Sequence, residues 1–323
     1  MKLPLSDLRA ILNEPAALFI GTASFEDRCC SILNELKTDC ARGIIFKNKQ
    51  AGEKADQNLR KMLAMLGGRG QAEELDLDEP MESVRSLRVA LDAVGEIGEG
   101  LVFVDITTFT HEQLLILVRL LNDKKPRPKI VFGYNGADRY SFNTDANSAW
   151  LSKGVAQIRS VLGFPGLLLP SKRSHLIVLV GFEHERAKAV IERFEPNFLS
   201  LGVGQVSESV TPEHAETNRR FFDDVRNFVD LRTSIGANVN SFEFSCVDPI
   251  ATMEAVGQQV DKLSDHNTVI CPMNTKLSTL GVAMVASKNS TVQICYSRAI
   301  EYNELGYSTP SNQVTLFDQY RLK

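Results

Sequence analysis

The chain repeats itself. A first copy opens LFIGTASFEDRC (Leu18–Cys29) and a second opens LIVLVGFEHERA (Leu176–Ala187). Each is a short apolar run, a glycine, Phe-Glu and then an arginine, ahead of a helical pattern. GIIFKNK (Gly43–Lys49) corresponds to PNFLSLGVG (Pro196–Gly204). The polar, helix-period segments that follow each carry Asn-x-Arg, as Asn58-Leu59-Arg60 and Asn218-Arg219-Arg220. Ala72–Val94 then faces Asn240–Leu263, a strand, an acidic-Pro start and an amphipathic helix in both. Leu101–Leu121 faces Thr268–Ser287, and Lys129–Asp138 faces Thr291–Ile300. Element after element recurs in the same order, which points to one structural unit built twice.

Within each copy, short apolar strands alternate with helical segments. Runs such as Leu101–Val104, Ile130–Phe132 and Val269–Ile270 lack period-two alternation, as strands buried on both faces of a parallel sheet do. Alternating strands and helices imply right-handed crossovers and a doubly wound sheet. The expected architecture is α/β: two tandem Rossmann-like domains with mainly parallel sheets, related by internal duplication. The boundary is expected where two prolines and a basic-polar cluster interrupt the pattern in FPGLLLPSKRS, giving domains of residues 1–165 and 174–323. Asn147–Leu162 reads as a bridging helix, with Trp150 packing rather than functional.

Composition narrows the function. With 43% apolar and 24% charged residues over 323, the chain is an ordinary globular protein. Its 36 basic against 40 acidic side chains leave a net charge of −4, so binding to bulk nucleic acid is not expected. The basic loop Lys124–Lys129 reads as a solvated turn. No apolar run approaches the ~20 residues of a membrane helix, and MKLPLSDLRAILNEP meets acidic and prolyl residues too early for a signal peptide. A cytoplasmic location without a membrane partner follows as the expectation. The six cysteines and five histidines show no metal-ligand spacing, so no metal or cofactor is expected; adjacent Cys29-Cys30 could form a strained redox pair.

In an open parallel sheet, ligands bind beyond the carboxyl ends of the strands. Two strand-end loops recur here. The first is the turn after the opening strand, with Gly21, Thr22, Ser24 and Arg28 in one copy and Gly181, Phe182 and Arg186 in the other. Glycine permits close approach, the helix start presents partial positive charge, and the arginine offers a fork of donors for phosphate or carboxylate. The same residues also read as a helix start in which the arginine pairs with Glu26 or Glu183. The pattern is neither G-x-G-x-x-G nor a Walker loop.

The second loop follows Leu101–Val104 as Asp105-Ile106-Thr107-Thr108-Phe109-Thr110-His111, and follows Thr268–Cys271 as Pro272-Met273-Asn274-Thr275-Lys276. Hydroxyls and amides at a helix start can hold a phosphate while Lys276 neutralises it. Thr107, Thr110, Asn274 and Thr275 are also good helix caps, whatever else they do. Tyr134-Asn135-Gly136 and Tyr296-Ser297-Arg298, after the next strand, could stack on a base or cap the sheet.

The run Asp105-Ile-Thr-Thr-Phe-Thr-His111 resembles the D-[LIV]-T-G-G-T-K loop of CARF domains, the Rossmann-like sensors of cyclic oligoadenylates in CRISPR systems. Asn274-Thr275-Lys276 resembles the end of that loop. The resemblance implies a ligand pocket lined by this loop and the first turn, with two domains facing each other across it. Thr107, Thr108, Thr110 and His111 would then face one half of the ligand, and Asn274, Thr275 and Lys276 the other. The departures are Thr108 and Phe109 for two glycines, His111 for the lysine, and Cys271-Pro272 where an acidic residue would stand. No R-x-x-x-x-H effector motif follows the second copy.

The expected function is therefore a nucleotide-sensing module. It would bind a nucleotide or small cyclic or linear oligonucleotide between two pseudo-symmetric domains and signal to a protein partner; the resemblance implies a setting in antiviral defence. The alternative is an enzyme acting on a nucleotide, such as a ring-nuclease-like phosphodiesterase or a glycosyl- or phosphoribosyl-transfer enzyme. Lys276, Thr275 and His111 would then carry the chemistry.

Overall fold

The computed structural model describes residues 1–124, 129–140, 151–231, 238–304 and 307–318. It divides into two compact units, each with its own sheet and core.

Unit 1 alternates β2 (Leu18–Ala23), α2 (Ser31–Leu36), β3 (Gly43–Asn48), α3 (Glu53–Leu66), β4 (Gly70–Leu75), α4 (Pro80–Ile97), β5 (Leu101–Asp105), α5 (His111–Asp123) and β6 (Lys129–Tyr134). β1 (Lys2–Pro4) and α1 (Leu8–Leu12) precede them; β7 (Ala137–Tyr140) follows. Unit 2 opens with β8 (Ser152–Pro165), then alternates β9 (Ser174–Leu179), α6 (His184–Phe194), β10 (Phe198–Gly204), α7 (Pro212–Asp230), β11 (Val239–Phe244), α8 (Pro249–Lys262), β12 (Asn267–Pro272), α9 (Lys276–Lys288) and β13 (Gln293–Tyr302). Two strands close the chain, β14 (Ser308–Pro310) and β15 (Gln313–Asp318).

The sheet orders are β1-β15-β6-β5-β2-β3-β4 and β11-β10-β9-β12-β13-β8. In both, five parallel strands run third-second-first-fourth-fifth, and an antiparallel strand covers the fifth. The central strands β2, β5, β9 and β12 are almost wholly buried, which is why their sequences are continuous apolar runs. Two Rossmann-like units related by internal duplication follow directly. No helix among the described residues is long and apolar enough to cross a membrane.

The register refines the repeat. Leu18 pairs with Val102 as His175 pairs with Thr268, and Val104 pairs with Phe132 as Ile270 pairs with Ile294. Counting along the strands, Phe25-Glu26 superposes on Phe182-Glu183, and Ser24, not Gly21, occupies the place of Gly181.

Two expectations are corrected. The segment 147–162 is not a helix over its described part: β8 is a long edge strand antiparallel to β13. Its Val155, Ile158 and Val161 fall every third residue and imitate a helical stripe. Gly154 and Gly163 instead take φ values of +65° and +90°, and the pairing with β13 carries two register shifts. Trp150 and Lys125–Pro128 lie outside the described residues.

The domain boundaries also move. Unit 1 comprises Met1–Ser141 with Glu304–Lys323, and unit 2 comprises Phe142–Asn303, rather than 1–165 and 174–323. The reason is apolar burial. β15, after the second copy, inserts between β1 and β6 and gives Val314 and Leu316 to the core of unit 1. β8, after the first copy, covers β13 and buries Val161 and Phe164.

Candidate functional site

In each unit the order of strands reverses between the first and fourth: β2 beside β5, and β9 beside β12. Loops leaving neighbouring strands at such a switch point diverge to opposite faces and leave a crevice. The two loops singled out by sequence are these, and in both units they touch.

In unit 1 the Thr108 hydroxyl donates to the Thr22 carbonyl oxygen at 2.8 Å, with its oxygen 3.1 Å from the Thr22 hydroxyl. Asp105 accepts from the Thr107 amide at 2.9 Å, and the Thr107 hydroxyl accepts from the Asn135 amide at 3.0 Å. Thr110 caps α5 in a reciprocal box with Gln113. His111 is the first helical residue, half-buried like Ser24, Thr108 and Thr110; Gly21, Thr22 and Thr107 are buried. Burial raises the Asp105 carboxyl to about 7, against its bonds to Thr107 and the charge of Arg28.

In unit 2 the Asn274 side-chain amide donates to the Val180 carbonyl at 2.7 Å. Thr275 caps α9, accepting from the Ser278 amide at 3.1 Å while donating to the Cys246 carbonyl at 2.6 Å. Lys276 is the first helical residue. Asn274, Thr275, Lys276 and Phe182 are half-buried. Gly181 is a packing glycine, since a Cβ there would collide with the Met273 carbonyl oxygen. Phe182 packs edge-on against His214, 5.5 Å between centroids.

The arginines have a different role from the one expected of ligand donors. Arg28 is 4% exposed; its Nε and Nη2 donate to Glu26 at 2.7 and 3.1 Å, and its Nη1 donates to the Asn135 carbonyl. Its guanidinium carbon lies 6.0 Å from the ring centres of Tyr134 and Tyr140. Arg186, 5% exposed, pairs with Glu183, donates to the Ser297 carbonyl and lies 5.8 Å from the centre of the Tyr296 ring. Burial opposes both charges, but the adjacent glutamates hold both guanidiniums above their ordinary range. Each glutamate also accepts from a serine: Ser308 to Glu26 at 2.5 Å, and Ser152 to Glu183. Ser308 precedes Thr315, the partner of Tyr134, by as many residues as Ser152 precedes Arg159, the partner of Tyr296. The constellation is therefore duplicated, with each guanidinium paired to its glutamate, although Arg186 Nε is buried without a hydrogen-bond partner among the described residues. It fastens the first turn to the end of the fifth strand.

Sequence reasoning passed over several members. Tyr140 and Tyr302 complete a Tyr-x-x-Ala-x-x-Tyr pattern present in both copies (Tyr134–Tyr140 and Tyr296–Tyr302), which was the available signal. Asn58 and Asn218, 0% and 2% exposed, support the first turns by donating to the Ser24 and Val180 carbonyls at 2.9 and 2.8 Å. That explains the asparagine of the repeated Asn-x-Arg; the arginines, Arg60 and Arg220, are exposed. The Cys29 and Cys30 sulfurs lie 3.8 Å apart as free thiols.

No protein-family model matches the chain, and no curated protein matches it in sequence. Among solved structures it is similar to the cytoplasmic domain of a prokaryotic cation chloride cotransporter, at 9% identity and a TM-score of 0.26, covering 90% of this chain and 98% of that one. It is also similar to UDP-GlcNAc 2-epimerase from Neisseria meningitidis bound to UDP-GlcNAc, at 12% identity and a TM-score of 0.22, covering 79% and 76%. Likeness at this level carries no functional argument, so function rests on the loops themselves.

Proposed function

We propose that the chain is a nucleotide-sensing module that takes a nucleotide or small oligonucleotide at its switch-point loops and reports occupancy to a partner protein. The observation that carries this reading is duplicated. In both units a capping threonine at the switch point is followed at once by a residue with a nitrogen donor, the imidazole in Thr110-His111 and the ammonium in Thr275-Lys276. The Lys276 ammonium in the first turn of α9 opposes the helix dipole, which favours anions there. The recurrence of a threonine cap and a nitrogen donor at both helix starts suits an external anion that dipole and side chain would hold together.

Two further features support the reading. Asn135 Oδ1, just after β6, and Ser297 Oγ, at the matching position within β13, are buried without a hydrogen-bond partner among the described residues. Buried polar atoms of this kind are usually paired, and a bound polar group would pair them. The loop beginning at Asp105 also resembles that of cyclic-oligoadenylate sensors, which favours this ligand class and a role in antiviral defence.

Calorimetric titration with cyclic oligoadenylates, linear oligoadenylates and mononucleotides tests the proposal. Saturable binding that weakens at least tenfold in Lys276→Ala is expected. Absence of binding at millimolar concentration to the folded chain would remove the sensor reading. Conversion of the ligand during titration, abolished by the same substitution, would replace it with the enzyme reading.

A further inference from the structure

The connection between the units is paired on both sides. In unit 1, Ser308 of β14 pairs with Tyr140 of β7; in unit 2, Tyr302 of β13 pairs with Ser152 of β8. The Asn303 amide also donates to the Leu151 carbonyl at 2.9 Å. Unit 2 is thus an insertion with its ends pinned together, and unit 1 is closed by the tail that follows it. The strand ends at this neck are the same ones that reach the buried ion pairs: Ser308 donates to Glu26 and Ser152 to Glu183. Glu26 and Glu183 lie in the first strand-to-helix turns, and the packed tail strand β15 belongs to the core of unit 1.

We propose that this neck couples the two first turns thermodynamically, so that folding or ligand occupancy of either unit steadies the first turn of the other. The physical cause is chain closure. When unit 2 is folded and its ends are pinned, the chain left to close unit 1 is only that between Tyr140 and Leu151 and between Asn303 and Ser308. When unit 2 is unfolded, the same closure must be made across a free chain about tenfold longer, and the three-halves power of that ratio disfavours closure by about thirtyfold. Coupling of this kind is reciprocal: the closed unit 1 holds together the ends of unit 2 and favours its folding by the same factor. No new contact is required, and each serine passes the effect to a turn through its glutamate. The occupancy clause rests on the nucleotide reading; the folding clause does not.

Hydrogen exchange on the full-length chain without ligand tests the folding clause. Val178→Ala leaves a cavity in the core of unit 2, and Ile45→Ala leaves one in the core of unit 1. In urea that unfolds unit 2 of the Val178→Ala variant, amides of β15 and of Ala23–Cys29 are expected to lose about thirtyfold in protection. In urea that unfolds unit 1 of Ile45→Ala, amides of β8 and Gly181–Arg186 are expected to lose the same factor. A long Gly-Ser insertion between Glu304 and Tyr307 lengthens the closing span even with unit 2 folded, so it should shrink both effects. Protection in one unit that is indifferent to unfolding of the other would overturn the proposal, as would effects that the insertion leaves unchanged. A failure to bind nucleotide, by contrast, would leave these results untouched.

Discussion

Arg28 and Glu26 form a two-pronged ion pair, 2.7 and 3.1 Å, with both side chains more than nine-tenths buried. A buried pair gains little over an apolar replacement, but losing one partner strands the other charge. Glu26→Gln is therefore expected to lower unfolding free energy by about 3–5 kcal/mol. The double variant Glu26→Gln/Arg28→Met should lose much less than the sum of the single losses. Urea unfolding of the four proteins checks this; additive losses would contradict the pairing.

Gly181 is tested by enlargement. Because the obstacle to a Cβ is the Met273 backbone, the first turn and the fourth-strand loop must part to admit it. Gly181→Ala should cost about 1–3 kcal/mol. It should also weaken nucleotide binding in unit 2 more than Gly21→Ala does in unit 1, where the nearest atoms belong to the Phe19 ring. Paired melting and titration measurements compare the two.

Two buried titratable groups give opposite pH dependence in the two units. Asp105 rises from 3.8 to about 7 through burial, so folding takes up a proton between these values. Its contribution is full at low pH and declines as pH rises to 7, by about 1.4 kcal/mol per unit. Asp105→Asn should remove that decline in unit 1 and exceed the parent in stability above pH 7.

His175, in unit 2, falls from 6.5 to about 4 through burial and the charge of His266. Its contribution is full above 6.5 and is lost as pH falls towards 4, the reverse sense. His175→Gln should flatten the acid limb while leaving neutral pH nearly unchanged. Segment-resolved hydrogen exchange between pH 4 and 8 separates the two slopes, one in each unit.

Much of the architecture was legible because parallel strands buried on both faces leave continuous apolar runs, and Leu101–Val104 and Val269–Ile270 have no other simple reading. The helix starts were legible from Thr110, Thr275 and the acidic-Pro pairs before α4 and α8. The completing strands were not. In β8, residues three apart carry the apolar contacts because bulges shift the phase of the strand, and a helix has nearly that period. Nor does local sequence state which sheet a trailing strand joins; Val314 and Leu316 reach the core of unit 1 across the whole second copy. For Arg28 and Arg186 the sequence leaves two readings open, a ligand donor or a partner of Glu26 or Glu183, because pattern alone does not report burial. Their glutamate partners are local, but the carbonyls and tyrosine rings that enclose them lie in distant segments, recognisable only once Tyr134–Tyr140 and Tyr296–Tyr302 are compared.

Amide chemical-shift mapping during titration with a cyclic oligoadenylate tests the central claim most directly. The account predicts saturable shifts confined to Thr107–His111, Asn274–Lys276 and the two first turns, with those of Asn274–Lys276 weakened by Lys276→Ala. Shifts confined to other surfaces, or none at millimolar ligand with both units folded, would contradict it.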